Sequence, residues 1–417
     1  MKILEITGGE KLSGSIRVGG AKNSAVALIP AAILADETVT ICNIPEITDT
    51  DNLCEILNHL GVTTKRASES IIINSSNMHN NEIDEEFSKK LRASYYFMGA
   101  LLGKYKKAVM YFPGGCSIGA RPIDLHLKGF EALGATVKVE DNKYTVEAER
   151  LIGCPIYLDF ASVGATINIM LAAVLAEGKT TIDNAAKEPE IVNIATFLNN
   201  MGAHITGAGT STIKIEGVKH LHGCFHEVIP DRIEAGTYVI IGALCGDQLK
   251  IDNIIPEHLE SLISKLQEIG AQMEIGSDYI TITRGEKYKA TNIKTAPYPG
   301  FPTDLQQPFS TLLTQCEGKS KVEETIWENR FMHVPYLCQM GADIIVKNQT
   351  ATIIGSTKLK GKEVVATDLR AGAAMVAAAL IAEDKTMITN VEHILRGYEN
   401  IVEKLTQVGA KIKSREI

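Results

Sequence analysis

Cys116 is the residue of this chain whose surroundings best suit proton-transfer or covalent chemistry. It lies in PGGCSIGARPIDLH (113–126), with glycines at 114, 115 and 119, Arg121 five residues on and His126 at the end of the segment. Glycines suit a mobile loop or a backbone that comes close to a ligand, and a neighbouring guanidinium lowers a thiol pKa. The competing fate of a free cysteine is burial as a small hydrophobe. His126 reads as structural or substrate-orienting rather than as a second base. A second group of chemical side chains stands at the starts of apolar segments: Lys22, Arg92, Ser162, Arg232, Asp304 and Arg370. Four of these are cations, although a helix N-terminus carries partial positive charge and prefers anions. Such cations need either an acidic neighbour or an anionic ligand, and together they favour a phosphate or carboxylate ligand. LRGYE (395–399) sets one more arginine, Arg396, beside a glycine.

These residues are placed by a repeat. A hydrophobic-Gly-small signature recurs at Gly61, Gly134, Gly202, Gly270, Gly341 and Gly409, at intervals of 68 to 73 residues. Six matches at so even a period define internal repeats, and glycine just past an apolar periodic run is a helix C-cap. Counting back 37 to 42 residues from each glycine reaches the six helix-start residues named above. After five of the glycines, two alternating strands flank a polar turn, as in GATVKVEDNKYTVEAE. A more apolar helix lies upstream, as at 23–35 and 162–176, and a short strand tends to end in asparagine, at Asn43, Asn184, Asn253 and Asn390. Each repeat thus predicts two helices and about four strands, an α+β unit that packs with others in groups of three.

The sixth repeat stops at GAKIKSREI, short of its second hairpin strand. Leu12-Ser13-Gly14 matches the Leu-x-Gly segments at Leu151, Leu221 and Leu359 that follow hairpins elsewhere. The N-terminal strands are therefore expected to complete the last repeat. Residues 1–21 would join 230–417 in one domain, and 22–229 would form the other, which carries the loop 113–121. The chain has 417 residues, enough for two or three domains with real cores. A net charge of −8 argues against nucleic acid or an anionic membrane as the main partner. Eight scattered cysteines without metal-ligand spacing read as reduced, mostly buried thiols of a cytoplasmic protein. The N-terminus lacks a signal-peptide h-region, and the longest apolar run, 371–382, is too short to span a bilayer.

Read together, the ordered blocks GGAKNSA (19–25), LRASYYFMG (91–99), PGGCSIGARPIDLH (113–126), ASVGAT (161–166), YPGFPTDLQ (298–306), WENRFMH (327–333), TDLRAG (367–372) and LRGYE (395–399) resemble those of the bacterial UDP-N-acetylglucosamine enolpyruvyl transferases. The similarity runs over essentially the whole chain. It implies a two-domain inside-out α/β barrel of six similar units, three per domain, with helices inside and an active-site cleft between the domains. It also implies transfer of the enolpyruvyl group of phosphoenolpyruvate to the 3′-hydroxyl of UDP-N-acetylglucosamine, the first committed step of peptidoglycan synthesis, without cofactor or metal. By this resemblance Lys22, Arg121 and Arg396 hold phosphoenolpyruvate, with Arg92 and Arg370 nearby, while Asn23 and Asp304 meet the sugar hydroxyl. Arg121, Pro122, Ile123, Asp124 and Leu125, with Ser162, Val163, Gly164 and Ile326, line the UDP-sugar site. One position departs: some members carry lysine before the SVG segment, where this chain has Phe160.

The reaction asks for groups that these residues supply. Several cations must gather on a substrate bearing a phosphate and a carboxylate, Asp304 is the candidate base toward the hydroxyl, and Cys116 is the candidate acid toward C3. Two other readings stand beside this one: a 5-enolpyruvylshikimate-3-phosphate synthase-like transferase, and a catalytically silent repeat scaffold that binds a nucleotide.

Overall fold

The structure, a computed structural model, describes residues 2–112 and 123–416. Its sheets all share one plan. Each has a central strand paired on one side with a parallel edge and on the other with two antiparallel strands, which form a hairpin except in the sixth repeat. The central strands are Val39–Cys42, Lys107–Tyr111, Lys179–Asp183, Gly246–Asp252, Cys316–Glu323 and Lys385–Thr389. Alternating burial along the hairpin strands, as in Ser70–Asn74, leaves one face of a sheet to the core and one to solvent.

The edge strands explain how the repeats interlock. Glu82–Ile83 leaves the first repeat and pairs with the central strand of the second. Pro155–Tyr157 does the same for the third, and Phe225–Glu227, at the end of the third, returns to pair with Val39–Cys42 of the first. The other three repeats follow the same order. Tyr288–Lys289 and Asn292–Lys294 edge the fifth sheet, Glu363–Val365 the sixth, and Leu12–Arg17 the fourth. Each set of three therefore closes on itself.

The N-terminal strands serve two sheets rather than one. Lys2–Thr7 lies between Lys385–Thr389 and Lys411–Glu416 and fills the missing hairpin position of the sixth repeat. Leu12–Arg17 passes on to the fourth sheet. Among the described residues the chain divides into two units, one of residues up to Gly19 with Pro230 onward, the other of 20–112 and 123–229. Gly20 and Ala21, grouped with the first unit by the sequence reading, fall in the second. Ala21 is buried in its core and donates its N–H to the Ile229 carbonyl at 2.7 Å.

The strand-end asparagines are latches. Asn43, Asn184, Asn253 and Asn390 all have φ between 55° and 59°, a region that asparagine tolerates better than other side chains. The amides of Asn43, Asn184 and Asn253 donate to Val228, Leu158 and Val18, carbonyls that directly follow a parallel edge strand. One side chain thus ends the central strand and secures the edge strand taken from the preceding repeat.

Each unit has its own hydrophobic core, built around three apolar helices. In the second unit these are α1 (Lys22–Ala31), α2 (Tyr96–Tyr105) and α3 (Val163–Ala173); in the first, α4 (Arg232–Cys245), α5 (Thr303–Leu313) and α6 (Leu369–Ile381). α6 is buried from Arg370 through Leu380, as a helix apolar on every side must be. α4, α5 and α6 touch one another, and α2 touches both α1 and α3. Gly99 and Gly103 permit the α2–α3 approach: a Cβ at either would stand 2.4 Å from the Asn168 carbonyl or 2.7 Å from that of Leu171. No helix among the described residues is long and apolar enough to cross a membrane.

The six signature glycines all have φ between +87° and +112°. Gly270 isolates the backbone effect, because a Cβ there would meet nothing within 4 Å. Gly270→Ala should therefore lower the unfolding midpoint through left-handed strain alone, a cost of about 1–2 kcal/mol. Thermal or denaturant unfolding would check this, and an unchanged or raised midpoint would contradict it.

Candidate active site

Most of the candidate site residues lie at or near the mouths of the buried helices, the places where such a helix reaches polar surroundings. In the second unit, Lys22 opens α1 and its ammonium lies 2.8 Å from the carboxylate of buried Asp49. Asp49 stands in the first turn of the helix Thr48–His59, where the dipole favours an acid. Asn23, half-buried, follows Lys22. Ser162 caps α3, its hydroxyl accepting the Ala165 N–H at 3.3 Å, and the helix starts with half-buried Val163 and buried Gly164. Arg92 opens a 3-10 turn, Arg92–Tyr95, and α2 itself begins only at Tyr96. Ile123 and Leu125 are buried, and Asp124 is exposed in the first turn of the helix Asp124–Ala132. Phe160, at 59% exposed, presents its ring to solvent beside the Ser162 segment.

His126 is held in one tautomer by its neighbours. The Gly99 N–H donates to Asn168 Oδ1 at 2.8 Å, which leaves Asn168 Nδ2 as a donor to the Tyr95 carbonyl and to His126 Nδ1 at 2.9 Å. Nδ1 therefore accepts, and the ring proton resides on Nε2. Burial, with the Arg92 charge adding to it, pushes the His126 pKa down to about 3. The ring is a neutral, fixed part of the site. Gly164 makes room for it, since a Cβ there would lie 2.9 Å from His126 Cε1 and 3.0 Å from the Tyr95 hydroxyl.

In the first unit, Asp304 lies in the first turn of α5 and is bracketed by two buried guanidiniums. Arg330 Nη2 is 2.7 Å from Oδ1, while Arg370 Nε and Nη2 are 3.2 and 3.1 Å from Oδ2. Asp231 caps α4 through the N–H groups of Ile233 and Glu234, and Asp368 caps α6 through those of Arg370 and Ala371. The Arg396 turn lies on the start of α6: a Cβ at Gly397 would meet Leu369 at 2.6 Å, and the Arg370 guanidinium stands 5.4 Å from the Tyr398 ring centre. The Tyr398 hydroxyl is 2.9 Å from that of Thr237. Half-buried Ile326 follows Glu324, whose carboxylate accepts the Ile326 N–H at 2.8 Å.

The sequence reading offered an acid or an anionic ligand as compensation for the helix-start cations and favoured the ligand. For Lys22 and Arg370 the structure supplies acids, Asp49 and Asp304. The capping aspartates were open to discovery, because Asp231-Arg232 and Asp368-Leu369-Arg370 place an N-cap acid one or two residues before the cation. Asp49 and Arg330 carried no comparable local signal. Cys116, Arg121 and Pro122 lie outside the described residues. Of the other cysteines, two are buried, four half-buried and Cys338 exposed, fewer buried than the sequence reading held. Burial pushes Cys54 and Cys224 up to about 11, and Cys245 and Cys316 up to about 12, so these four thiols are poor nucleophiles.

Both the sequence and the fold match one family of enzymes. The model of the family described as EPSP synthase (3-phosphoshikimate 1-carboxyvinyltransferase) matches residues 6–405, and the chain belongs to that family. The chain is 55% identical over 409 residues to UDP-N-acetylglucosamine 1-carboxyvinyltransferase 2 of Listeria monocytogenes, covering 98% of this chain and 97% of that protein. It is equally 55% identical over 413 residues to the protein of that name from Bacillus anthracis, covering 99% and 96%. Among solved structures, the enolpyruvyl transferase NikO from Streptomyces tendae superposes with a TM-score of 0.90 at 28% identity, covering 99% of this chain and 98% of that one. An EPSP synthase from Acinetobacter baumannii, 18% identical with a TM-score of 0.77 over the full length of both chains, shares the fold.

His126 and His333 make stability depend on pH. Both are buried, and burial pushes His333 down to about 4, with Asp368 opposing and Arg330 adding. Below the unfolded value of 6.5 the unfolded chain binds protons that the native imidazoles refuse. Stability should be fully present above pH 6.5 and fall toward pH 4 by about 1.4 kcal/mol per pH unit for each ring. Unfolding midpoints across this range should show a steep slope, reduced in His126→Gln; equal slopes in both proteins would contradict the reading.

Proposed function

We propose that this chain transfers the enolpyruvyl group of phosphoenolpyruvate to the 3′-hydroxyl of UDP-N-acetylglucosamine and releases inorganic phosphate. The carrying observation is the near-full-length 55% identity to enzymes of that name. The chain is an enolpyruvyl transferase, and the finer reading is a two-domain inside-out α/β barrel with three repeats per domain, Gly20 and Ala21 belonging to the second domain. Peptidoglycan synthesis, in the cytoplasm, is the process it serves. Both substrates are charged metabolites that do not cross a bilayer unaided.

Lys22, Arg121 and Arg396 bind the phosphate and carboxylate of phosphoenolpyruvate, assisted by Arg92 and Arg370, and Asp49 fixes where the Lys22 ammonium stands. Arg121, Pro122, Ile123, Asp124, Leu125, Ser162, Val163, Gly164 and Ile326 take the UDP-sugar, with Asn23 and Asp304 at its 3′-hydroxyl. In the addition step the hydroxyl oxygen bonds to C2, its proton passes to Asp304, and the Cys116 thiol gives a proton to C3. The product is a tetrahedral ketal. In the elimination step C3 returns a proton to the Cys116 thiolate, the C2–C3 double bond re-forms, and the C2–O bond to phosphate breaks. The cations stabilise the charge that moves during both steps. Arg330 and Arg370 hold the Asp304 carboxylate from two sides, which aims it without further rearrangement.

Phosphate release from phosphoenolpyruvate tests this reading. The protein should release phosphate with UDP-N-acetylglucosamine and not with shikimate 3-phosphate. Cys116→Ala should bind the UDP-sugar yet lose turnover. Cys116→Asp should retain some activity with an optimum shifted to lower pH, because an unperturbed Asp titrates about four to five units below Cys. Release driven by shikimate 3-phosphate would overturn the substrate assignment, and normal turnover by Cys116→Ala would overturn the acid.

A further inference from the structure

Glu324 is fully buried in the first unit, where a carboxylate is costly unless its oxygens are hydrogen-bonded. Its donors are two hydroxyls and two peptide N–H groups. Oε1 accepts from the Thr295 hydroxyl at 2.9 Å and from the N–H groups of Ile326 and Trp327 at 2.8 and 3.2 Å. Oε2 accepts from the Thr303 hydroxyl at 2.9 Å. Thr295, itself fully buried, binds the same segment again: its hydroxyl accepts the Thr325 N–H at 2.8 Å, and its carbonyl accepts the Thr325 hydroxyl at 2.6 Å.

The two ends of this carboxylate reach different parts of the site. One fixes the backbone at Ile326; the other fixes Thr303, the residue before Asp304 and the first of α5. A second link joins the same two segments, since Arg330, a few residues beyond Trp327, pairs with Asp304 at 2.7 Å. Glu324 therefore sets the register in which Arg330 meets Asp304 and in which Ile326 stands relative to Asp304. We propose that Glu324 is a positioning residue for the UDP-sugar, holding the hydroxyl-binding Asp304 and the ligand-lining Ile326 at a fixed separation. The inference rests on the roles given to Asp304 and Ile326 under the proposed function. Glutamine can take over most of the task, because its carbonyl can accept from Ile326 and Trp327 while the Thr303 hydroxyl can accept from its amide. Alanine cannot, and leaves buried donors unpaired.

Steady-state kinetics of the full chain, with each substrate varied in turn, tests the proposal in Glu324→Ala, Glu324→Gln and Thr303→Val. Glu324→Ala should raise KM for UDP-N-acetylglucosamine about tenfold or more, with kcat falling too, while KM for phosphoenolpyruvate stays near wild type. Glu324→Gln should restore most of the loss, and Thr303→Val, which cuts one link alone, should fall between. If Glu324→Ala does not fold, Thr303→Val and Glu324→Gln carry the same comparison. An unchanged KM for the UDP-sugar in Thr303→Val, or equal rises in both KM values, would overturn the positioning role. Wild-type turnover is the control: its absence would defeat the proposed reaction, whereas wild-type turnover beside an unaffected Thr303→Val defeats the positioning role alone.

Discussion

A helix buried on every side can offer polar chemistry only at its ends, and that constraint organises both units. Each places three such helices in its core, so the side chains able to meet a ligand are those in the first turn or just before it. The partial positive charge at these mouths suits anions, yet Lys22, Arg232 and Arg370 stand there. Acids make this tolerable. Asp49 pairs with Lys22, Asp304 with Arg370, and Asp231 and Asp368 occupy the caps before Arg232 and Arg370. Lys22 and Arg370 are thereby fixed in place before any ligand arrives, the condition under which charge stabilisation is most effective in catalysis.

The repeat supplies the scaffold and its irregularities supply the site. Six sheets share one strand plan, and edge strands exchanged between successive repeats close each set of three. Against that uniform background the helix mouths differ residue by residue: lysine at one, a capping serine at another, an aspartate between two arginines at a third. The supporting contacts are just as particular. Asn168 sets the His126 tautomer, and Glu324 secures the segment from Thr295 to Trp327.

Much of this was legible in the sequence because it is local. The six glycines announce left-handed helix ends, the asparagines announce strand ends, and the even period places Lys22, Ser162, Asp304 and Arg370 at equivalent positions. What was hidden is long-range. Asp49 meets Lys22 across 27 positions of chain, and Arg330 meets Asp304 across 26. Neither pairing leaves a mark in spacing or composition. The two destinations of the N-terminal strands were hidden for a related reason: Leu12-Ser13-Gly14 matches segments that follow hairpins, but the sheet that Leu12–Arg17 joins is decided by tertiary packing. For the helix-start cations, a buried acid and an anionic ligand offset the charge equally well, and the sequence does not separate the two.

The central claim is that Asp304, held between Arg330 and Arg370, meets the hydroxyl that becomes the nucleophile. Calorimetric binding of UDP-N-acetylglucosamine and of its 3-deoxy analogue, to wild type and to Asp304→Ala, measures that contact without relying on turnover. Wild type should bind the natural sugar more tightly than the analogue by about tenfold, and Asp304→Ala should bind the two alike. A preference for the natural sugar that persists undiminished in Asp304→Ala would contradict the account.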